Sequence, residues 1–209
     1  PRYTYVKLNP KISSLLKETS ILNEDCDGFS GLKVNLPFGL FNHITGIAVG
    51  YKSMILPRAE ADIKDYLSGN NDNELIPSFI GYNGKIELLP DRGNSSWILN
   101  PVLEIEDSTR TIVIKEIPPL IKYDSYIRKL HDFLEPIDCK VTNKSTDDIY
   151  LEIRCKQIDE VEWQNFKDSI QKKSSIIVTE MITFIKDGTL CTYPTLKEYL
   201  YDFRERSEE

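Results

Sequence analysis

Histidine, cysteine and long apolar runs are all scarce in this chain, and each scarcity removes a class of function. Two histidines in 209 residues leave little from which to build an imidazole metal centre. The four cysteines, Cys26, Cys139, Cys155 and Cys191, are scattered without a C-x-x-C pair. That spacing argues against zinc and against a disulfide framework, and it predicts free thiols in a reducing compartment. No apolar run reaches the roughly eighteen residues of a membrane span, and no charged-then-apolar leader opens the chain. The expected setting is cytoplasmic, with no membrane partner. An initiator methionine is also missing at Pro1, so a piece of a longer polypeptide is expected.

Positive charge is in deficit too, with 26 Lys and Arg against 33 Asp and Glu and a net charge of −7. Taken whole, the balance speaks against a polyanionic partner. Its distribution does not. Residues 1–58 carry seven basic side chains (Arg2, Lys7, Lys11, Lys17, Lys33, Lys52, Arg58) against four acids, whereas the remainder holds 19 against 29. Any nucleic-acid contact is therefore expected in the first quarter. With 40% hydrophobic residues the chain can bury a sizeable core in one large or two small domains.

Periodicity predicts a short strand over 3–8, then a helix opened by Asn9 as N-cap and Pro10 at its first position. A surface loop is expected over 18–33, a compact apolar run over 36–41, a turn over 42–45 and a buried strand over 46–51. A short helix follows over 60–67. Residues 68–73 (Ser-Gly-Asn-Asn-Asp-Asn) mark a boundary. Strands are then expected over 79–82, 85–89, 97–99, 102–106 and 110–116, with Asn83-Gly84 as a hairpin turn between the first two. A helix is predicted over 124–134, strands over 140–143 and 150–156, a helix over 161–170 and one strand over 176–185. Asp187-Gly188 turns that strand back into 190–193. Thr195-Leu196-Lys197-Glu198 reads as a capping box that starts a final helix, whose charged end suggests continuation past the chain.

Two pairings stand out against this background. Arg2-Tyr3 sets a guanidinium beside a phenol, which suits attack on a phosphodiester. Gly46-Ile47-Ala48-Val49-Gly50 carries an apolar side chain on a lean backbone that another polymer can approach closely. Each is weak alone, and composition by itself would place Ile47 in a core strand.

Together with their neighbours they form a resemblance. Pro1-Arg2-Tyr3-Thr4, the run from Leu40 through Asn42-His43-Ile44-Thr45-Gly46-Ile47-Ala48-Val49-Gly50 to Tyr51, and Ile55-Leu56-Pro57 resemble the breakage–reunion region of type IIA DNA topoisomerases. That family comprises gyrase A subunits, topoisomerase IV C subunits, eukaryotic topoisomerase II and the medium subunit of T4-type phage enzymes. Gly81-Tyr82-Asn83-Gly84-Lys85-Ile86, Thr111-Ile112-Val113-Ile114-Lys115-Glu116-Ile117-Pro118 and Leu196-Lys197-Glu198 with Phe203-Arg204 extend it over nearly the whole chain. The wording is closest to the phage or viral branch, which would put the protein in a host cytoplasm.

The resemblance implies an α+β architecture. The C-terminal part of a winged-helix domain would cover 1–68. A mixed α/β tower domain with a mostly antiparallel sheet would cover 69–194, and the start of a coiled-coil helix 195–209. It implies that Tyr3 is the nucleophile, giving a 5′-phosphotyrosyl link, that Arg2 stabilises the phosphate charge, and that Ile47 is a wedge between base pairs. Asn42, His43, Lys52 and Arg58 become candidate DNA contacts, although His43 replaces the glycine usual after the asparagine. Implied partners are double-stranded DNA, a TOPRIM and ATPase segment or subunit, and a second copy through a coiled-coil gate. No metal ligands are assigned here: Glu104-Ile105-Glu106-Asp107 and Asp147-Asp148 lack the TOPRIM spacing, and no Walker loop occurs. Mg2+ and ATP would thus serve the full, ATP-dependent enzyme from outside these residues. A non-catalytic, tower-derived DNA-bending or interaction module is the alternative.

Overall fold

A computed structural model describes residue 10 and residues 36–70, 74–90, 95–137, 139–156, 158–186 and 188–208. The expected strand over 3–8, most of the helix after Asn9 and the loop over 18–33 lie outside the described residues, as do Arg2 and Tyr3. The chain divides into two compact units, Pro1–Leu75 with Met181–Glu209, and Ile76–Glu180. The architecture is α+β, and every strand pair among the described residues is antiparallel.

In the first unit a 3-10 turn, Phe38–Leu40, leads into strands β1 (Ile44–Ala48) and β2 (Tyr51–Ile55) and helix α1 (Glu60–Leu67). Among the later elements, β10 (Ile182–Lys186), β11 (Thr189–Tyr193) and α4 (Leu196–Glu208) belong to the same unit. Its core gathers Leu40, Ile55, Ile63, Leu75, Ile182, Leu196, Tyr199 and Leu200. Thr195 caps helix α4, with Glu198 returning a bond to its hydroxyl. The Glu198 amide donates to Thr195 Oγ1 at 3.3 Å, and that hydroxyl donates to Glu198 Oε1 at 3.1 Å. Tyr199 then stacks on Phe184 with ring centroids 4.3 Å apart, and burial pushes its phenol up to about 12.

The second unit holds β3 (Ile86–Leu88), β4 (Ser96–Leu99), β5 (Val102–Glu106), β6 (Thr111–Glu116), α2 (Tyr123–Leu134), β7 (Cys139–Asn143), β8 (Leu151–Cys155), α3 (Glu160–Ser174) and β9 (Ile176–Thr179). Strands pair in the order β5-β6-β8-β7 in one sheet and β3-β4-β9 in another. Alternation sends Ile112, Ile114, Leu151 and Ile153 to one face, where they meet Tyr126, Leu130 and Leu134 of α2 and Trp163, Phe166 and Ile170 of α3. Helix α3 is capped reciprocally by Asp159 and Glu162, and Trp163 Nε1 donates to Asp107 at 2.6 Å, tying the helix to the β5–β6 turn.

Four expectations need correction. Residues 46–51 form no buried strand; they are the tip of the β1–β2 hairpin. Residues 79–82 form no strand, and Asn83-Gly84 is no hairpin turn. Gly84 instead lies where a Cβ would collide with Tyr82 Oη and with the Asn100 carbonyl, so the glycine serves close approach rather than turn geometry. The apolar run 176–185 is two strands, because Ser96–Leu99 pairs with its first half and Thr189–Tyr193 with its second. Cys139 and Cys155 are not free thiols. They face each other directly across β7 and β8, with Cα atoms 4.2 Å apart, and are disulfide-bonded. Cys191 is a free thiol.

Candidate nucleic-acid interface

The β1–β2 hairpin carries the residues that the sequence marks. Its register pairs Ile44 with Ile55, Gly46 with Ser53, Ile47 with Lys52 and Ala48 with Tyr51. Val49 and Gly50 make the two-residue turn, and Gly50 takes φ +80, a conformation that strains any side chain-bearing residue. The root is fixed by Ile44 and Ile55 in the core and by the Arg58 amide, which donates to the Leu40 carbonyl at 2.7 Å. From that root the tip projects into solvent. Ile47 is 80% exposed, Val49 99% and Tyr51 52%. Leaving one isoleucine in water forgoes about 1.5–3 kcal/mol of burial, a quantity that becomes available to whatever covers it.

Cross-strand neighbours share a face and adjacent residues along a strand do not. Ile44, Gly46, Ser53 and Ile55 therefore lie on the core side of the hairpin, while Thr45, Ile47, Lys52 and Met54 lie on the outer side. The wedge candidate thus has an exposed lysine directly opposite it. Asn42 is exposed just before the first strand.

His43 is held at both ring nitrogens. Nδ1 donates to the Ile55 carbonyl at 3.1 Å, which fixes the tautomer because a carbonyl can only accept. Nε2 lies 2.9 Å from Thr45 Oγ1 and accepts its proton, and the same hydroxyl lies 3.5 Å from Met54 Sδ. Positions 43, 45 and 47 alternate onto one side of the chain, so the imidazole braces the strand that presents Ile47. Sequence reasoning misses that bracing. The period-two spacing of His43, Thr45 and Ile47 is the signal that carries it.

Arg58, read from sequence as a phosphate candidate, is a correction. It is only 3% exposed, and its guanidinium donates to the Leu75 carbonyl at 2.6 Å and the Leu56 carbonyl at 2.7 Å. A buried guanidinium committed to backbone acceptors stabilises the fold and does not reach a ligand. The structure brings Asn42, His43, Ile47 and Lys52 together on one hairpin. Arg2 and Tyr3 are not among the described residues. Among the described residues no three His, Cys, Asp or Glu side chains gather as a metal site, and no helix is long and apolar enough to cross a membrane.

Comparison with known proteins gives a family and a fold. A family model for the DNA gyrase/topoisomerase IV A subunit matches residues 1–209. Among solved structures, the DNA-binding, cleavage and re-ligation domain of Plasmodium falciparum topoisomerase II is similar, with a TM-score of 0.70 at 22% identity over 86% of this chain. The match spans 25% of that solved chain, a likeness of fold. No curated protein matches.

Proposed function

The chain belongs to the DNA gyrase/topoisomerase IV A-subunit family, and on that premise we propose that it supplies part of the DNA cleavage–religation core of a type IIA topoisomerase. The observation that carries the reading is Ile47, an isoleucine left 80% exposed at a hairpin tip, opposite Lys52. An apolar side chain so placed suits insertion between base pairs, where the cost of unstacking is offset by a bent duplex that meets more protein surface. Lys52 and Asn42 would contact the backbone beside that step, with His43 at the base of the same strand.

Tyr3 would be the nucleophile. Its phenolate forms a bond to phosphorus, the bond from phosphorus to the 3′ oxygen breaks, and the electron pair leaves with that oxygen, which is protonated to a 3′-hydroxyl. A phenol with a pKa near 10 needs its proton removed, and the charge that accumulates on the phosphate oxygens needs a cation. Arg2 would supply that cation. The phosphotyrosyl ester retains the energy of the broken bond, so resealing is the same step reversed. Mg2+ and ATP would be held outside the described residues, on a TOPRIM and ATPase segment or subunit, and the metal there supplies further charge stabilisation. Residues 1–68 would close a winged-helix domain, 69–194 form the tower, and 195–209 begin a coiled-coil gate to a second copy.

The test is Tyr3→Phe in the complete enzyme. The variant should bind duplex DNA as the parent does and leave no protein–DNA adduct on a denaturing gel. A persistent adduct overturns the assignment of Tyr3. A non-catalytic bending module predicts no adduct from the parent either, even with the TOPRIM partner and Mg2+ present.

A further inference from the structure

We propose that Ile185 and Leu190, at the end of the β10–β11 hairpin, make a second apolar contact with the duplex that Ile47 enters. The inference rests on reading the first hairpin as a DNA interface. Strand β10 is linked to β2 by reciprocal Met54–Met181 amide-to-carbonyl bonds of 2.9 Å. The link is reinforced where Ser53 Oγ donates to the Thr183 carbonyl at 3.3 Å and Thr183 Oγ1 to the Lys52 carbonyl at 3.4 Å. The two hairpins therefore form one ribbon in the order β1-β2-β10-β11.

Alternation divides this ribbon cleanly. Ile55, Ile182, Phe184 and Tyr193 face the core. Thr45, Ile47, Lys52 and Met54 continue on the other side into Met181, Thr183, Ile185, Leu190 and Thr192. No acid occurs among the described residues of that outer face, although the chain holds 33. Ile185 is 71% exposed and sits directly opposite Leu190, itself 47% exposed. Sequence periodicity merges Ile185 into one long strand, which hides its position.

The occupant that fits is duplex nucleic acid. Small apolar pairs, Ile185 with Leu190 and Met54 with Met181, separated by hydroxyls and one ammonium, with no carboxylate among the described residues to repel phosphate, match a polyanion that exposes apolar sugar and base edges. A stable protein partner would instead need a contiguous apolar core. From Ile47 to Ile185 the path crosses two strand spacings and advances two residues along the strand, about 12 Å. That equals roughly three to four base pairs at about 3.4 Å each.

The experiment uses the complete enzyme and a duplex carrying a fluorescent adenine analogue, either at the step unstacked by Ile47 or three to four pairs to one side. Ile185→Ser should weaken duplex binding about tenfold and abolish the outer signal while the inner one remains, and Ile185→Val should restore both. Ile47→Ser should abolish the inner signal. If Ile185→Ser alone leaves affinity within about twofold and the outer signal intact, the second contact is refuted and the first stands. If neither serine variant changes either signal, the interface reading itself fails. A change of oligomeric state at unchanged DNA affinity would assign this face to protein and also overturn the inference. Both side chains are exposed, so unchanged thermal melting verifies that each variant folds.

Discussion

The outer faces of the two main β-layers are built on opposite principles. In the β5-β6-β8-β7 sheet the face away from the helices pairs its charges. Lys115 meets Glu104 at 3.2 Å, and Glu152 meets Lys144 at 2.5 Å and Arg154 at 3.2 Å. The Lys144 ammonium holds Glu152 below the usual carboxylate range and is itself raised in turn. Such pairs contribute little stability each, but they satisfy a face that water can reach. The ribbon of the first unit offers isoleucine, leucine, methionine and threonine instead, with a single lysine and no acid among its described residues. One face is finished by its own charges, and the other is the face proposed to meet DNA. On that contrast, truncations in the core beneath the four-stranded sheet should damage folding, and truncations of the exposed apolar side chains on the ribbon's outer face should damage binding only.

The largest effect is expected in the second unit. Trp163 is fully buried, stacks on Phe166 at 5.9 Å and donates to Asp107. Trp163→Ala should cost about 3–5 kcal/mol in urea unfolding, since it leaves a large cavity between the helices and the sheet. A loss under about 1 kcal/mol would break the comparison at its root. Next comes the Cys139–Cys155 bond, which closes a loop within the second unit only. Cys139→Ser should lower stability by about 3 kcal/mol, and reductant should lower the parent to the same level without affecting the variant. Because Cys191 is free, the first unit should melt alike with or without reductant. Melting of the parent that ignores reductant would show the bond to be unimportant.

Helices are largely legible because their apolar spacing is local. Helix α2 begins one residue before the expected 124, and Thr195–Glu198 caps α4 as anticipated. Helix α3 runs on to Ser174, beyond the expected end at Ile170, through Lys172 and Lys173, which give no apolar signal. Pairing is not legible. Nothing in 176–185 says that its halves bond to different strands, or that Cys139 and Cys155, sixteen residues apart, will oppose each other. Composition places Ile47 in a core strand, because it counts neighbours along the chain and not across a hairpin. The familial motif gives the exposed position. Arg58 goes the other way, since a cation next to Pro57 reads as surface until its carbonyl acceptors are seen.

Alkali should affect both units rather than separate them. Burial raises Tyr126 in the second unit to about 12, and burial followed by the Asp202 carboxylate raises Tyr193 in the first to about 12. Unfolded tyrosine titrates near 10, so the folded state holds these protons more tightly. Their contribution is complete below pH about 10 and disappears as pH rises through about 12. Tyrosinate absorbance should therefore lag in the folded chain and jump on unfolding. A rise near pH 10 that accounts for all eleven tyrosines would contradict the packing of both rings. A smaller effect is expected at His43. His43→Ala removes the bonds to Ile55 and Thr45 and should cost about 1 kcal/mol, read as faster amide exchange along β1 with the second unit unchanged.

The smallest change in stability should come at Ile47, and it discriminates most. Ile47→Ser removes an apolar side chain that water already surrounds, so unfolding free energy should move by less than about 0.5 kcal/mol. The same substitution removes the burial that a duplex would provide, and affinity for bent DNA should drop about tenfold or more. The two measurements must separate. If stability falls by about 2 kcal/mol or more, Ile47 is a core residue in solution and the hairpin does not display it. If neither moves, the outer face of the ribbon is inert, and the lack of acids among its described residues would need some cause other than a polyanionic partner.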